Sequence, residues 1–342
     1  MKSRQRKLNV GIIGCGLIGR KRAKAIAELK TDKLVGIYDI DGPRMVDIYQ
    51  ETGAKMYESW QALVSDPEID CVIVAAFHNV IPTIVLEALK KGKHVLAEKP
   101  LGNNYTEALT ISKLAQKQKK IVKVGFNHRF HPAFIKAREL FEKGSIGKTL
   151  YIRGVYGHGG RKDYDLEWRH QPKFTRGGVM YDQGSHMVDL SLWFLDPIEK
   201  VFANARRYFW KQTTLEDNSF CQLISKTGQT FSYQNSLTQW KNRFSFEIYG
   251  NKGYLLINGL GRSYGVETLT LGTEVGLGRV PKERVWEFSG PDMSWNDEWK
   301  NFREAIVLKK PVMSSAKENC EIMKVIDGLY QSARFSKIVK LK

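Results

Sequence analysis

The chain has 342 residues, 42% of them hydrophobic and 26% charged, which is typical of a globular protein of about two domains and excludes a disordered or coiled-coil chain. Its longest apolar run, 71–77, is too short to span a membrane, and no signal peptide is visible. The 54 Lys and Arg residues against 36 Asp and Glu give a net charge of +18, which favours an anionic partner. Four scattered cysteines without a C-x-x-C pair predict reduced thiols and a cytoplasmic protein.

Strand-like and helical patterns alternate through the first third of the chain. Short apolar runs typical of strands buried on both faces are separated by helical patterns, which predicts an α/β unit with a parallel sheet and right-handed crossovers. The expected strands are 8–13, 34–38, 70–76, 94–97 and 121–126. The expected helices are 18–29, 44–52, 59–64, 82–91 and 105–119.

The pattern changes after residue 126, where strand-like runs with alternating polarity predominate. Such alternation predicts a larger, antiparallel sheet. The expected strands are 149–156, 200–209, 219–225, 229–236, 244–249, 253–257, 267–271 and 284–288. The expected helices are 132–143, 182–194, 298–308 and 316–334. We therefore place a domain boundary between residues 126 and 127.

The turn after the first strand carries the pattern G-x-G-x-x-G at Gly14, Gly16 and Gly19. Because it follows an apolar strand and opens a helix, it predicts a dinucleotide site. Gly14 permits the tight turn, Gly16 lets a pyrophosphate approach the backbone, and Gly19 allows the helix to pack closely on the strand. The N–H groups at the start of the helix, at Leu17 and Ile18, would face the phosphates.

Asp39 ends the second expected strand, about twenty residues beyond the glycine pattern. A carboxylate there accepts the ribose hydroxyls of NAD and repels the 2′-phosphate of NADP, so NAD is the expected cofactor. The alternative is a purely structural glycine turn, with Asp39 as a strand-end cap. The basic run at 20–22 would help to bind NADP, although on a helix it is more typical of a solvated face.

Polar residues follow three of the expected strands at their carboxyl ends, where open parallel sheets bind ligands. Lys99 leaves a buried strand between Glu98 and Pro100, which suits contact with a reacting hydroxyl; the alternative is an ordinary surface lysine. The residues expected to contact the cofactor at these strand ends are Ala76, His78, Asn79, Glu98, Lys99 and Asn127.

A second group of polar residues lies on the predicted helix 182–194, just after Gly177 and Gly178. Asp182, His186 and Asp189 are spaced i, i+4 and i+7, which puts them on one helix face. A histidine beside a carboxylate is suited to act as a general base near neutral pH. A structural histidine is an equal alternative.

Together these motifs resemble the Gfo/Idh/MocA family, named after glucose–fructose oxidoreductase, inositol dehydrogenase and a rhizopine-catabolism protein. The resemblance rests on the glycine pattern, Asp39, the Glu98-Lys99-Pro100 triplet and the motif at 177–189, and it continues through 125–132, 142–147 and the last helix. It implies a doubly wound Rossmann domain at 1–126 that binds NAD. It also implies a substrate and oligomerisation domain at 127–342, of α+β type with a large, mostly antiparallel open sheet, and a homodimer or homotetramer.

The resemblance further implies hydride transfer from a secondary hydroxyl of a sugar or cyclitol to nicotinamide. Lys99, Asp182 and His186 would form the catalytic group. His186 would remove the hydroxyl proton, Lys99 would bind the developing oxyanion, and Asp182 would orient the pair. Whether Lys99 or His186 accepts the proton stays open, and a cis peptide bond would precede Pro100.

One stretch departs from the family pattern. Family members often carry Thr-Pro-x-x-x-His after the third strand, whereas residues 76–81 here read Ala-Phe-His-Asn-Val-Ile. Both the proline and the final histidine are replaced, so the cofactor contacts of this loop differ from the family's. We expect His78 to pack near the nicotinamide ribose instead.

Aromatic and basic residues in 156–176 and 239–243 are candidates for substrate contact, because aromatic rings stack on sugar faces and cations bind phosphate or carboxylate groups. The alternative is a pair of solvated loops with packed tryptophans. No metal is expected, since the histidines lack ligand spacing beside a carboxylate. The predicted substrate contacts are Lys99, Arg129, Trp168, Arg169, Asp182, His186 and Trp240.

The expected function is NAD-dependent oxidation of a sugar hydroxyl, and the positive charge favours a nucleotide-linked (UDP-) sugar oxidised at C3. The alternatives are an inositol or free-sugar dehydrogenase and, from another class, a non-catalytic NAD-bound sensor or repressor. The complete set of Lys99, Asp182 and His186 argues against the sensor. The positive charge is spread over both halves without a basic arm, so neither nucleic acid nor a membrane is expected as a partner.

Overall fold

The computed structural model describes residues 6–276 and 278–341, which form two compact units. The first unit comprises 6–126 together with Trp295–Met323, and the second comprises Asn127–Ser294 and 324–341. The chain passes from the first unit to the second after Phe126 and returns to the first unit near its end, and the sequence did not lead us to expect this return. The division of function between 1–126 and 127–342 stays a prediction.

The first unit contains a six-stranded parallel sheet of the Rossmann type. Its strands are β1 (Asn9–Ile13), β2 (Lys33–Tyr38), β3 (Lys55–Met56), β4 (Cys71–Val74), β5 (His94–Ala97) and β6 (Val122–Val124). Its helices are α1 (Leu17–Leu29), α2 (Pro43–Thr52), α3 (Trp60–Ser65), α4 (Ile81–Lys90) and α5 (Tyr105–Lys117). The strand order β3-β2-β1-β4-β5-β6 confirms the doubly wound parallel sheet; β3, two residues long, is too short for a sequence pattern to mark.

The second unit contains a nine-stranded sheet with helices. The strands are β7 (Thr149–Gly157), β8 (Ile198–Arg206), β9 (Asn218–Ser225), β10 (Thr230–Ser236), β11 (Arg243–Gly250), β12 (Gly253–Asn258), β13 (Glu267–Thr273), β14 (Lys282–Phe288) and β15 (Val339–Lys340). The remaining helices of the chain are α6 (Pro132–Glu142), α7 (Val179–Phe194), α8 (Ser294–Val307) and α9 (Ala316–Phe335). The order is β14-β13-β12-β11-β7-β10-β9-β8-β15, and all neighbours are antiparallel except β7 and β10, which confirms the mostly antiparallel sheet.

Apolar burial explains why the segment Trp295–Met323 packs with the first unit. Trp299 and Phe302 of α8 are buried in the same apolar cluster as Val10 and Ile12 of β1 and Ile26 of α1. Removing large aromatic side chains from water is a strong driving force, so α8 covers this sheet although it follows the second unit in sequence.

Several elements begin or end at residues other than the predicted ones. The strand expected at 200–209 ends at Arg206, because the Asp217 carboxylate accepts the backbone N–H groups of Tyr208 and Phe209, each at 2.8 Å, and thus holds them out of the sheet. The helix expected at 182–194 begins earlier, at Val179. No helix in the described ranges is both long and apolar enough to cross a bilayer.

Candidate active site

The glycine-rich turn between β1 and α1 is shaped to accept an anion. Gly14 has a φ of 97°, and a Cβ there would lie 2.3 Å from the Ala75 carbonyl oxygen, so only glycine fits. A Cβ at Gly19 would lie 1.9 Å from the Gly14 carbonyl oxygen. Beside Gly16, in contrast, a Cβ would have only Arg44 near it, at 3.9 Å. This open space fits the close approach of a dinucleotide pyrophosphate.

The N-terminus of α1 adjoins that space. Gly16 is the N-cap residue and offers no side-chain cap, and Leu17 and Ile18 are the first two helical residues. Because the first N–H groups of a helix have no intrahelical acceptor, they are free to bind phosphate oxygens, and the helix dipole favours a negative charge there. The predicted cofactor residues of the turn therefore fit NAD.

Asp39 is buried directly after β2 and is held against the glycine-rich turn. Its Oδ2 accepts the Cys15 backbone N–H at 2.6 Å, and its Oδ1 accepts the Asp41 N–H at 2.8 Å. Asp39 thus acts as a strand-end cap. Since each carboxylate oxygen has a further lone pair, this role is compatible with accepting ribose hydroxyls as well.

The basic run at 20–22 is not the solvated helix face that we expected. Arg20 and Lys21 are exposed, and Arg20 pairs with Asp47 at 2.6 Å. Arg22, in contrast, is fully buried. The reason is that two carboxylates distant in sequence, Glu98 and Glu298, surround its guanidinium.

Arg22, Glu98 and Glu298 form what we call the carboxyl-end cluster, because Glu98 directly follows β5. Arg22 Nε and Nη2 donate to Glu98 Oε1 at 3.0 and 2.7 Å, and Nη1 donates to Glu298. The guanidinium also lies 4.6 Å from the Trp295 ring centroid. Burial raises the pKa of Glu98, although Arg22 opposes the shift. Glu98, a predicted cofactor contact, is therefore engaged with a buried arginine.

Lys99 follows Glu98 at the carboxyl end of β5 and is half-buried. The peptide bond between Lys99 and Pro100 is cis, as the resemblance implies. At the end of β4, Ala76 is half-buried, His78 is buried and Asn79 is exposed. These predicted cofactor contacts thus lie where a parallel sheet binds its ligand.

Asn127 and Arg129 begin the second unit and are both buried. Asn127 Nδ2 donates to Ser294 Oγ at 3.0 Å. Arg129 binds Asp189 in a two-pronged ion pair, Nε to Oδ2 at 2.9 Å and Nη2 to Oδ1 at 2.6 Å. This pair ties Arg129 to α7 and engages its guanidinium within the unit, which argues against its predicted contact with substrate. Asp189 is therefore the ion-pair partner of Arg129.

Glu216 fixes the start of α7, a role that the sequence did not reveal. Its Oε1 accepts the backbone N–H groups of Gly178 at 2.9 Å and Met180 at 3.2 Å, and the Tyr330 hydroxyl donates to the same oxygen at 2.6 Å. A carboxylate at a helix N-terminus satisfies N–H groups that the helix cannot. Glu216 therefore positions the helix that carries Asp182 and His186.

His186 is buried against a second histidine. Its ring stacks on that of His128, with centroids 3.7 Å apart and planes inclined by 28°. The Tyr156 ring meets both edge-on, 5.4 Å from His128 and 6.3 Å from His186. His128 is not among the predicted site residues, yet it packs directly on the predicted base.

Asp182 lies beside one cation and influences several buried or half-buried rings electrostatically. Arg169 Nε lies 3.8 Å from Asp182 Oδ2. Burial lowers the pKa of the Arg169 guanidinium, but the nearby Asp182 carboxylate raises it, and the pKa stays above its ordinary value. Burial lowers the pKa of His158. Burial also raises the pKa of three tyrosines that Asp182 influences electrostatically, Tyr156, Tyr164 and Tyr264. Uncharged hydrogen-bonding groups around one carboxylate suit a ligand rich in hydroxyls.

The two predicted tryptophans differ in their surroundings. Trp168 is half-buried, with the Arg169 guanidinium 5.0 Å from its ring centroid. Trp240 is exposed over 66% of its surface and packs on Gly159.

Of the predicted catalytic residues, Lys99 belongs to the first unit, and Asp182 and His186 belong to the second. Among residues 6–276 and 278–341, no three His, Cys, Asp or Glu side chains are grouped so as to hold a metal ion.

The glycine-rich turn, the strand order and the residues at the strand ends define a dinucleotide-binding protein of the Rossmann class. Residues 8–126 match the family model described as "Oxidoreductase family, NAD-binding Rossmann fold", and residues 134–256 match the GFO/IDH/MocA C-terminal domain. The chain therefore belongs to the Gfo/Idh/MocA family of NAD-binding oxidoreductases, which confirms the resemblance.

Several characterised relatives are dehydrogenases of cyclic polyols and sugars. Inositol 2-dehydrogenase 2 of Saccharopolyspora erythraea is 26% identical over 65% of this chain and 64% of its own length. Myo-inositol 2-dehydrogenase of Thermotoga maritima is 29% identical over 58% of both chains. Glucose-6-phosphate 3-dehydrogenase of Bacillus subtilis is 27% identical over 71% of this chain and 72% of its own. The match thus spans about two thirds or less of the first two relatives.

Solved structures share the fold along nearly the whole chain. Levoglucosan dehydrogenase in complex with NADH and levoglucosan superposes with a TM-score of 0.90 at 20% identity, over 98% of this chain and 100% of that one. GenD2 from gentamicin A biosynthesis, in complex with NAD, gives a TM-score of 0.84 at 20% identity, over 98% of this chain and 97% of that one. At this identity the likeness establishes the fold.

Proposed function

We propose that the protein is an NAD-dependent dehydrogenase that oxidises a secondary hydroxyl of a sugar or cyclitol. The observation that carries the proposal is the surroundings of Asp182 on α7, where one guanidinium lies beside the carboxylate and buried or half-buried tyrosine and histidine rings of the same unit pack on one another. Such a site is suited to bind a polyol through hydrogen bonds. The family membership and the names of the inositol and levoglucosan dehydrogenases support the same conclusion.

The proposed mechanism divides the work among three side chains. The glycine-rich turn and Asp39 would hold NAD, which when bound would supply the hydride acceptor at its nicotinamide C4. His186 takes the hydroxyl proton, Lys99 donates a hydrogen bond to the oxygen as negative charge develops on it, and Asp182 orients the pair. Packing of His186 on His128 holds the imidazole ring in one plane, which favours a fixed direction of proton transfer.

The narrower prediction of a nucleotide-linked sugar oxidised at C3 stays a prediction. The net charge of +18 supports an anionic substrate, and glucose-6-phosphate 3-dehydrogenase is by name an enzyme that acts at C3 of a phosphorylated sugar. The Arg169 guanidinium already faces two carboxylates, Glu167 at 3.5 Å and Asp182 at 3.8 Å, which favours an uncharged substrate at that position. The oligomeric state implied by the resemblance is likewise a prediction.

The test is turnover of a sugar panel with NAD, followed by the absorbance of NADH. We expect oxidation of at least one inositol, free hexose or UDP-sugar. Lys99→Ala is expected to lower kcat about 10³-fold, because it removes the donor that stabilises the developing oxyanion. NADH binding, followed by fluorescence, is expected to persist.

The matched control is Lys91→Ala, which removes an exposed lysine from the same unit and is expected to leave kcat unchanged. A fully active Lys99→Ala variant would contradict the proposed role of Lys99. Binding of NADH without turnover of any sugar in the panel would contradict the dehydrogenase itself and favour a sensor.

A further inference from the structure

Three aromatic side chains of the second unit form a joined surface that the proposed mechanism does not use. We call Phe209, Trp210 and Trp240 the aromatic platform. The Phe209 ring meets Trp240 at 5.0 Å and Trp210 at 5.3 Å between centroids, nearly perpendicular to both. Trp240 is 66% exposed and Phe209 is 51% exposed. Single exposed apolar residues are common, but connected aromatic rings of this exposure mark a binding surface.

A buried carboxylate holds the platform in place. Asp217 is buried, yet it accepts the backbone N–H groups of Tyr208, Phe209 and Trp210 at 2.8, 2.8 and 3.0 Å. Although burial opposes ionisation, these hydrogen bonds hold the pKa of Asp217 below its ordinary value. The Trp210 indole N–H also donates to the Leu237 carbonyl at 2.9 Å. The loop therefore presents its rings to solvent in a fixed conformation.

The same loop is fastened to the segment that carries Arg169. The buried Asp165 carboxylate accepts the backbone N–H of Gln212 at 2.8 Å, and the Thr213 hydroxyl donates to the His170 carbonyl at 2.5 Å. Since Arg169 faces Asp182, these hydrogen bonds hold the loop of the platform to the segment beside Asp182.

The platform packs on the two glycines that follow His158, whose ring lies 5.3 Å from the Tyr164 ring between centroids. The Trp240 indole packs on Gly159, where a Cβ would lie 3.2 Å from its ring, and Trp210 packs on Gly160, where a Cβ would lie 2.6 Å away. The Tyr164 ring in turn lies 6.1 Å from the Trp210 ring and 4.6 Å from the ring of His170, the residue after Arg169. Packed rings thus connect the platform with the segment whose Arg169 faces Asp182.

The charges near the pocket favour a neutral second ring. Arg161 and Arg169 both face Glu167, at 2.5 and 3.5 Å, and Arg169 also faces Asp182. These guanidinium groups are thus matched by carboxylates. Aromatic faces of the platform offer apolar area with fixed geometry, to which the C–H face of a pyranose ring is complementary.

We propose that the aromatic platform is a subsite for the second sugar ring of a glycoside. The ring to be oxidised lies at Asp182 and His186, and the ring joined to it by the glycosidic bond stacks on Trp240 with its edge against Phe209. The proposal rests on the proposed dehydrogenase function and names its substrate class as neutral glycosides.

The first experiment compares kcat/KM for the best monosaccharide or cyclitol of the panel with kcat/KM for its α- and β-glucosides. We expect the protein to prefer one glucoside about tenfold. Trp240→Ala is expected to lower kcat/KM for that glucoside about tenfold relative to kcat/KM for the parent sugar, whereas Trp240→Phe keeps most of the preference. The control is Phe335→Ala, which removes an aromatic ring of 54% exposure from a distant part of the sequence.

A second experiment does not depend on turnover. Saturation-transfer NMR with maltose and cellobiose in the presence of NADH measures contact with each ring, and we expect Trp240→Ala to abolish transfer to one of the two rings. Transfer that is the same in Trp240→Ala overturns the platform, even if a sugar is oxidised. Trp240-dependent transfer without oxidation supports the platform and contradicts only the dehydrogenase.

Two other outcomes would also overturn the proposal. Dependence on Trp240 for UDP-glucose alone would assign the platform to a nucleobase. If the unmodified protein is an oligomer in gel filtration and the Trp240→Ala variant is a monomer, the platform would be assigned to contact with a second copy of the chain.

Discussion

Two buried ion clusters lie at opposite ends of the six-stranded sheet, and α8 takes part in both. In the carboxyl-end cluster, Glu298 of α8 joins Arg22 and Glu98 next to the end of β5. In the second, which we call the amino-end cluster, Arg303 of α8 binds Asp32 at 3.1 Å, directly before β2 begins. Both clusters are buried, but only the first lies at the sheet edge where ligands bind.

The two clusters also differ in how their charges are matched. Asp32 of the amino-end cluster accepts three groups besides Arg303, the Leu8 backbone N–H at 2.9 Å, the Trp299 indole N–H at 3.0 Å and the Thr31 hydroxyl at 2.9 Å. In the carboxyl-end cluster one guanidinium donates to two carboxylates, and a further cation, Lys123, lies 4.0 Å from Glu298. The comparison indicates that Arg303 supports the fold, whereas Arg22 also holds the residue next to Lys99.

The largest expected effect comes from removing each arginine in turn. Arg22→Met leaves two carboxylates in a buried site and is expected to lower the free energy of unfolding by about 3–5 kcal/mol. Because Glu98 then loses the partner that fixes it beside Lys99, kcat is expected to fall about tenfold at a temperature where the variant is folded. Arg303→Met is expected to cost less stability and to leave kcat unchanged. Urea unfolding and initial rates measure the two effects.

A purely structural Arg22 would give a different pattern. Both variants would then lose stability while kcat stayed at the level of the unmodified protein, and the comparison between the two ends of the sheet would fail. Arg22→Lys keeps the charge but not the fork of donors, so it is expected to recover stability more than kcat.

The carboxyl-end cluster shows where prediction from sequence ends. The strands, the glycine-rich turn and Lys99 are encoded in short segments, by apolar runs, by steric need for glycine and by position after a strand. The burial of Arg22 depends on carboxylates 76 and 276 residues away, so the run Arg20-Lys21-Arg22 looks like any solvated helix face. Contacts of this range leave no local pattern.

His170, a buried histidine, is expected to make the stability of the protein depend on pH. Burial lowers the pKa of His170 from 6.5 to about 4, while Asp182 opposes the shift. The unfolded chain therefore binds more protons than the folded one between pH 6.5 and 4, and stability falls as the pH falls through this range. The contribution of His170 to that fall is on the order of 3 kcal/mol.

His170→Gln is expected to remove this contribution. Urea unfolding at pH 7.5 and pH 4.5 measures the difference between the variant and the unmodified protein, which cancels titrations common to both. A variant that loses stability with acid as steeply as the unmodified protein would show that His170 is already protonated in the folded state.

The candidate site was predictable only where residues of one segment act together. Asp182 and His186 follow from helical spacing, and Asp39 from its place after β2. Glu216, which fixes the start of α7, and His128, which stacks on His186, come from separate segments whose packing alone joins them to the helix. Arg129 carried a plausible charge for substrate, but Asp189 on α7 engages it. Its partner could be identified only from the folded chain.

An exposed ion pair is expected to contribute least to stability among the charged groups compared. Arg153 and Glu247 are cross-strand neighbours of β7 and β11, joined at 2.5 Å, but the Arg153 side chain is 59% exposed. Water screens such a pair, so a double-mutant cycle with Arg153→Ala and Glu247→Ala is expected to give a coupling energy of about 0.2–1 kcal/mol, decreasing at high salt. A coupling energy as large as the loss in Arg22→Met would mean that burial does not determine which ion pairs matter in this protein.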